Sequence, residues 1–180
     1  MSSYSRCGRA ALPLIQAALT GEAGRAVVEQ RTQSYTIGLN GSVADVTLLF
    51  GRVREAEWAP GWSPRFIHPA HALQRERAVF TTTNAAGKDR LWLLTTCDPG
   101  NGRAEYVVVT APFTANEIKV RVIPDGERHS KATITYRRSA LAPEGNDEVA
   151  KLDAHWAAEQ QRIHWETATN EALAKGGIHD

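Results

Sequence analysis

A long C-terminal segment without a helix breaker is the feature that most limits how this chain can fold. Residues Asp147 to Lys175 contain neither proline nor glycine and predict one long terminal helix. The 3.6-residue period places several of its side chains on one side, which we expect to face a core. These side chains are Val149, Leu152, Trp156, Ile163, Thr167 and Asn170. The rest of the chain must therefore cover that side of the helix.

Short segments with strand character fill most of the chain before this helix. Turn residues such as Asp98-Pro99-Gly100 separate them. The segment Ile118 to Val122 alternates apolar and charged residues, which is typical of an antiparallel strand between a core and water. The predicted strands are 27–37, 63–68, 78–83, 91–97, 103–110, 116–123 and 131–139.

Two short helices are expected between the first and second strands. Ser42 can cap a helix that extends to Phe50, because apolar residues recur there at helical spacing. A second, shorter helix or turn reaches Trp58. The prediction is an α+β fold: an antiparallel sheet of about seven strands wrapped around a long C-terminal helix.

Residues 1–26 differ in composition from residues 27–175, which we expect to form one domain. We expect residues 1–26 to be an appendage, either a short helix from Pro13 to Leu19 or a disordered tail. A stripe opposite Trp156 could receive residues 12–19 of the same chain or of a partner, which allows a homodimer. This stripe comprises Ala154, Ala158, Trp165 and Ala172.

The charge balance and the apolar pattern argue against several classes of partner. The 21 basic and 20 acidic side chains leave a net charge of +1, without the basic excess typical of nucleic-acid binding. The apolar stretch Ala10 to Leu19 is shorter than the ~20 residues that a membrane span requires. Cys7 and Cys97 predict no disulfide framework, so a cytoplasmic location is expected.

The histidines do not have the spacing of a metal site. His68 and His71 are separated by Pro69, which prevents the helix that would bring both rings to one side. His155 and His164 fall on different faces of the terminal helix. We therefore expect no metal and no cofactor.

Two segments resemble a known superfamily. One runs from Val53 to Trp62 and includes Glu57-Trp58-Ala59-Pro60-Gly61, and the other runs from Thr135 to Asn146 and includes Ala142-Pro143-Glu144-Gly145. Over about residues 28–174 the chain resembles the SRPBCC superfamily of START-related domains, polyketide cyclases and dehydrases, and pollen allergens, and in particular a bacterial branch of it. The branch usually has a Ser or Thr where this chain has Ala142.

The resemblance implies the helix-grip fold, in which the sheet and the terminal helix enclose a pocket for a small or medium hydrophobic ligand. Trp58 and Trp62 flank a rigid turn and could form the pocket rim, or could simply cover the sheet edge. The candidate lining residues are Phe80, Trp92, Leu94, Tyr106, Val108, Tyr136 and Trp156. Ordinary core packing would use the same residues, and Val79, Leu93, Val107 and Val109 leave the inward side of the strands open.

The resemblance to polyketide cyclases also allows a metal-free cyclase or dehydrase. Such an enzyme needs a base for a proton next to a carbonyl and a donor for the enolate. Tyr106, Tyr136 and Asn170 are the candidate polar groups, although buried groups of this kind often only satisfy hydrogen bonds. A third alternative is a protein-interaction module, because some relatives bind chaperones. Convergence of several ionisable groups in the pocket would favour an enzyme, and an apolar lining would favour binding alone.

Overall fold

The computed structural model describes residues 27–70, 76–84, 87–153 and 155–176. The strands are β1 (Gln30–Leu39), β2 (Arg65–His68), β3 (Val79–Thr83), β4 (Asp89–Asp98), β5 (Arg103–Thr110), β6 (Thr114–Pro124) and β7 (Ser130–Ala140). The helices are α1 (Val43–Leu49), α2 (Asn146–Ala150) and α3 (His155–Gly176). Short 3-10 turns occupy Arg54–Glu57, Pro99–Asn101, Pro143–Gly145 and Lys151–Asp153.

The seven strands form one antiparallel sheet in the order β1-β7-β6-β5-β4-β3-β2. Strands β2 to β7 follow one another as a meander, and β1 pairs with β7 from Gln30 opposite Ser139 to Leu39 opposite Ser130. The connection from β1 to β2 must therefore cross from one edge of the sheet to the other, and it carries α1 and the turn Arg54–Glu57. The predicted α+β architecture is confirmed.

Strand alternation divides the sheet into an inner and an outer face. Phe80, Trp92 and Leu94 are buried on the inner face, whereas Leu93 and Val107 are 38% and 37% exposed. Because side chains alternate with period two, this contrast fixes the direction of the neighbouring residues. The sequence left the inward side open, and the structure buries the candidate lining residues of β3, β4 and β5.

Helix α1 begins where the sequence predicts. The side chain of Ser42 accepts a hydrogen bond from the backbone N–H of Asp45, at 3.2 Å, and so caps the helix. Val46 and Leu49 are fully buried beneath it. The second short helix is the 3-10 turn Arg54–Glu57, which ends before Trp58.

The terminal helix differs from the prediction of one unbroken element. Helix α2 ends at Ala150, and the 3-10 turn Lys151–Asp153 separates it from α3. The Nη1 of Arg138 donates to the carbonyl oxygen of Glu148 at 2.7 Å. In a continuous α-helix that carbonyl would accept from Leu152, so the arginine competes with the helical hydrogen bond at the point of interruption.

The interruption changes which side of α3 faces the sheet. Thr169 and Ala172 are buried, and Trp165 packs against the core, whereas Ile163 is 46% exposed. Val149 and Leu152 are buried as expected. The expected core side is therefore wrong for Ile163 and for Thr167, which is exposed. A 3-10 turn has about three residues per turn, so the 3.6 period counted from α2 does not continue across it.

The predicted docking stripe is also wrong where it can be checked. Ala172 is buried, and Trp165 packs against the core of its own chain and lines its cavity, so the two do not form an exposed stripe. The side chains of Ala154, Ala158 and Trp156, and residues 12–19, lie outside the described residues.

Candidate ligand cavity

A cavity of about 390 Å³ lies between the inner face of the sheet, the turn Arg54–Glu57 and α3. Its volume falls in the range of ~300–1,000 Å³ that is typical of small-molecule sites. The lining comprises Phe50, Glu55, Ala59, Trp62, Asn84, Lys88, Arg90, Trp92, Tyr106, Val108, Thr110, Phe113, Thr114, Asn116, Ile118, Val120, Ile134, Tyr136, Arg138, Glu148, Gln161 and Trp165.

Aromatic rings form one wall of the cavity. The rings of Trp62 and Trp92 meet edge to face, with centroids 5.2 Å apart, and Phe80 stacks on Trp92 at 5.6 Å. The indole N–H of Trp62 donates to the carbonyl oxygen of Arg52 at 2.8 Å, which fixes the ring. This wall is therefore preformed and offers aromatic surface to a ligand.

Trp58 does not occupy the rim position expected for it. It is 6% exposed, and its indole N–H donates to the carbonyl oxygen of Leu49 at 2.8 Å. Its ring lies 5.0 Å from that of Trp165, which lines the cavity. The expected rim role is wrong for Trp58, because α1 supplies a carbonyl that draws its indole inward.

Three other predicted site residues lie away from the lining or behind it. Phe80 and Leu94 are fully buried and are not among the lining residues, although Phe80 stacks on Trp92, which lines the cavity. Asn170 instead ties α3 to the end of β1, since its side chain accepts from the N–H of Asn40 at 2.8 Å and donates to the carbonyl oxygen of Gly38 at 3.0 Å. The expectation that Asn170 is a polar group of the pocket is wrong.

Five of the predicted ligand-binding residues line one cavity: Trp62, Trp92, Tyr106, Val108 and Tyr136. They come from β4, β5, β7 and the segment after α1, and the antiparallel register brings them together. Their role in binding remains a prediction.

Glu55 is an acidic side chain of the cavity that the sequence analysis missed. It lies in the turn Arg54–Glu57, is half-buried and lines the cavity. Burial raises the pKa of its carboxyl from 4.5 to about 8. A carboxyl with this pKa is mainly protonated at neutral pH and can donate a hydrogen bond or a proton to a ligand.

Three tyrosines surround the same part of the cavity. The hydroxyl of Tyr106 donates to the carbonyl oxygen of Phe50, so its proton is already used. Tyr136 stacks on Tyr35 with ring centroids 6.3 Å apart. Burial raises the pKa of Tyr136 well above its ordinary value, and the neighbouring Tyr35 and Glu55 raise it further. Tyr136 therefore stays protonated at neutral pH and is a hydrogen-bond donor.

Several polar side chains of the cavity lie toward one end of the sheet. The register aligns Trp92, Val108, Asn116 and Arg138 in one row across four strands. The Nε of Arg138 donates to Oδ1 of Asn116 at 2.7 Å. Burial lowers the pKa of the Arg138 guanidinium, the Glu148 carboxylate opposes this effect, and Arg90 adds to it.

A sequence signal existed for some of the missed residues but not for others. Arg138 shares the inward parity of Tyr136, and Arg90 shares that of Trp92, so a charge at an inward strand position was visible. Glu55 lies in a 3-10 turn without strand or helix period. Trp165 was assigned to the wrong side of its helix because the interruption before α3 was not foreseen.

Two further observations concern the kind of site. Within the described ranges, no three His, Cys, Asp or Glu side chains come together as they would around a metal ion. None of the helices in the same ranges is long and apolar enough to cross a membrane.

Comparison with known proteins supports the fold. No protein-family model and no curated protein matches the sequence. Norcoclaurine synthase from Thalictrum flavum is similar in structure, with a TM-score of 0.57 and 10% identity over 95% of this chain and 98% of that one. A START superfamily protein from Mycobacterium smegmatis has a TM-score of 0.56 and 14% identity, over 80% of this chain and 97% of that one.

Ara h 8.0201 is also similar, with a TM-score of 0.54 and 11% identity over 81% of this chain and 99% of that one. At such low identity the likeness concerns the fold and not the activity. In this chain the fold consists of the seven-stranded antiparallel sheet and the C-terminal helix packed against it. The chain therefore has the helix-grip fold.

Proposed function

We propose that this protein binds a small or medium-sized hydrophobic molecule in the cavity between the sheet and α3. The observation that carries the proposal is a volume of about 390 Å³ with aromatic walls inside a packed domain. Transfer of apolar ligand surface from water to such walls is favourable by ~25 cal/mol per Å². The crystallised norcoclaurine synthase holds the small aromatic molecules dopamine and hydroxybenzaldehyde, which is consistent with this use of the fold.

Tryptophan fluorescence tests the proposal, because Trp62, Trp92 and Trp165 all line the cavity. Titration with fatty acids, flavonoids and aromatic polyketide analogues is expected to change the emission in a saturable way. Native mass spectrometry of freshly purified protein can identify a co-purified molecule. Unchanged emission with every compound at high micromolar concentration would contradict the proposal.

A matched pair of variants ties binding to the cavity. Val108 lines the cavity and is 2% exposed, whereas the adjacent Val107 is 37% exposed on the outer face of β5. Val108→Phe is expected to fill part of the cavity and weaken binding at least tenfold. Val107→Phe adds the same atoms outside and should leave the affinity unchanged. Thermal unfolding of both variants confirms that they are folded.

The second candidate is a cyclase- or dehydrase-like enzyme, favoured by the position of Glu55 and Tyr136 in the same cavity. In a dehydration, Glu55 would remove a proton next to a carbonyl while Tyr136 donates to the enolate oxygen. The enolate would then expel a hydroxyl group, and Glu55 would return the proton to it to form water. The base is the ionised form, so its pKa of about 8 predicts that the rate rises with pH up to about that value.

Glu55→Gln separates the two candidates. Under the enzyme hypothesis, this variant loses turnover of a β-hydroxy carbonyl substrate by at least a hundredfold and retains ligand affinity. Under the binding hypothesis, no wild-type turnover of such substrates is detected while their affinity remains measurable.

A further inference from the structure

Three cationic side chains line the cavity at one end of the sheet. Lys88 precedes β4, Arg90 lies near the start of β4, and Arg138 lies near the end of β7. In an antiparallel sheet, the start of β4 and the end of β7 lie at the same end, together with the turn between β5 and β6. We call this group of three cations the cationic mouth.

Arg138 is held in a fixed orientation. Its Nε donates to Oδ1 of Asn116 and its Nη1 to the carbonyl oxygen of Glu148, both at 2.7 Å. These bonds use two of the three nitrogens of the guanidinium. The Nη2 group keeps donors for a ligand, and the arginine loses little conformational freedom when it binds one.

Lys88 and Arg90 keep their charge available. The Nζ of Lys88 lies 3.7 Å from the centre of the Phe113 ring, which positions the ammonium without neutralising it. Across the described residues, neither Lys88 nor Arg90 forms an ion pair, whereas Arg54 and Arg103 each pair with a glutamate.

The mouth concentrates positive charge on a protein that is nearly neutral. The only carboxylate that lines the cavity there, within the described ranges, is Glu148, and Lys151 binds it at 2.9 Å. The three lining cations of the mouth against this one lining carboxylate leave an excess of two positive charges, compared with +1 for the entire chain. Like charges at a partly desolvated site repel one another, and a bound anion relieves this repulsion.

The lining side chains of β6 and β7 change from polar to apolar with distance from the mouth. Successive cross-strand pairs of β6 and β7 are Asn116 with Arg138, Ile118 with Tyr136, and Val120 with Ile134. A molecule with one charged end would therefore place that end beside Arg138 and its apolar body against the inner pairs.

We propose that the ligand is an amphiphile whose anionic head group, a carboxylate or a phosphate, binds at the cationic mouth while its apolar body fills the aromatic interior. This proposal rests on the proposed binding function and specifies the class of ligand. It also fixes the orientation, with the head group at the end of the sheet where β5 turns into β6.

Two fluorescent probes that differ by one anionic group test the proposal. 8-Anilino-1-naphthalenesulfonate carries a sulfonate that N-phenyl-1-naphthylamine lacks. Wild-type protein is expected to bind the sulfonate probe about tenfold more tightly, and this preference should shrink with added salt. Lys88→Gln and Arg90→Gln should each weaken the sulfonate probe about five- to tenfold and change the neutral probe less than twofold.

Arg128→Gln is the matched control. Arg128 is exposed in the turn between β6 and β7, at the opposite end of the sheet, so its removal changes the net charge equally without touching the cavity. It should leave both affinities unchanged. If Arg128→Gln weakened the sulfonate probe as much as Arg90→Gln, the effect would come from net charge and the proposal would be overturned.

Competition identifies the head group. Displacement of the sulfonate probe by dodecanoate, by dodecyl phosphate or by both supports the proposal and shows which anion is preferred. Equal displacement by 1-dodecanol would overturn it and leave the hydrophobic binding function standing. Binding of either probe in the cavity should be abolished by Val108→Phe. If neither probe shows such binding, the proposed function itself is contradicted.

Discussion

The carboxyl of Glu55 links the stability of the fold to pH. Its pKa in the folded chain, about 8, is higher than the ordinary value of 4.5, because the cavity wall desolvates it. Folding therefore favours the protonated form, and its contribution to stability is lost as the pH rises from about 4.5 to about 8. In that window the folded chain retains one proton that the unfolded chain releases. The unfolding free energy therefore falls by at most ~1.4 kcal/mol per pH unit.

We predict that Glu55→Gln removes this pH dependence. Glutamine is a neutral mimic of the protonated carboxyl, so the variant should gain stability relative to wild type as the pH rises from 5 to 8. Urea denaturation at several pH values measures the difference. Glu57→Gln is the control, since Glu57 is exposed and pairs with Arg54. Parallel curves for wild type and Glu55→Gln would contradict the burial of this carboxyl.

Trp165 is predicted to contribute much more to stability than Ile163. The ring of Trp165 contacts Tyr35, Trp58 and Tyr136 at centroid distances of 6.1, 5.0 and 6.3 Å. Trp165→Ala should cost about 3 kcal/mol, the lower end of the range for such truncations, because one side of the ring faces the cavity.

Ile163→Ala provides the comparison on the same helix. Ile163 is 46% exposed and should change the unfolding free energy by less than about 0.5 kcal/mol. Chemical denaturation of both variants checks which side of α3 faces the sheet. Equal losses, or a larger loss for Ile163→Ala, would contradict the helix orientation described above.

At the level of the elements, the turn from β4 to β5 depends on one glycine. Gly102 ends the 3-10 turn Pro99–Asn101 with a φ of +65°, and an added Cβ would lie 2.1 Å from the carbonyl oxygen of Val122. The N–H of Val122 also donates to the carbonyl oxygen of Gly102 at 2.8 Å. The turn and β6 therefore cannot separate to make room without losing this hydrogen bond.

Gly102→Ala is predicted to destabilise the fold by more than Gly61→Ala. Gly61 has a similar φ of +75°, but nothing lies within 4 Å of its Cβ position. Gly61→Ala should therefore cost about 1 kcal/mol for the backbone conformation alone, and Gly102→Ala at least about 3 kcal/mol because the clash adds to it. Thermal or urea unfolding measures both, and equal losses would exclude the close approach to Val122.

At the level of the entire molecule, we propose that residues 1–26 are an appendage to the domain. Deletion of residues 1–26 should change the unfolding free energy by less than about 0.5 kcal/mol, because all strands and helices described here follow that segment. A loss of stability would instead show that the segment packs on the domain. A change in solution mass from dimer to monomer would show that the segment mediates a homodimer. The homodimer, the chaperone-partner role and the cytoplasmic location remain predictions.

Deletion of residues 1–29 is the informative comparison. The N–H of Glu29 donates to Oδ1 of Asn146 at 2.9 Å, and the carbonyl oxygen of Glu29 accepts from the N–H of Ala140 at 2.8 Å. The side-chain amide of Asn146 also donates to the carbonyl oxygen of Val27 at 3.0 Å. The loss of three hydrogen bonds should cost about 2–3 kcal/mol, measured by urea denaturation. Equal stability of the two truncated chains would contradict this anchoring.

Local signals were sufficient for most of the sheet. The strand boundaries expected from turn residues agree with β5 at both ends and with the other strands to within a few residues. The cap at Ser42 was predictable because it requires only neighbours in sequence. The positions of Trp58 and Asn170 were not, because each is set by a hydrogen bond to a backbone carbonyl of another element.

The alternation of side chains and the chemistry of the turns are determined by the local sequence, because they depend on backbone sterics over a few residues. They account for the antiparallel sheet but leave its inward face open, because both sides of β3, β4 and β5 carry apolar residues. The cavity arises differently: it is the space that the sheet, the turn carrying Glu55 and α3 leave between them. Its charged mouth depends on a register that joins Arg138 to Asn116 and on the hydrogen bond from Arg138 to Glu148 where the terminal helix breaks. Only tertiary contacts bring these groups together, because their separation in sequence places them on different elements.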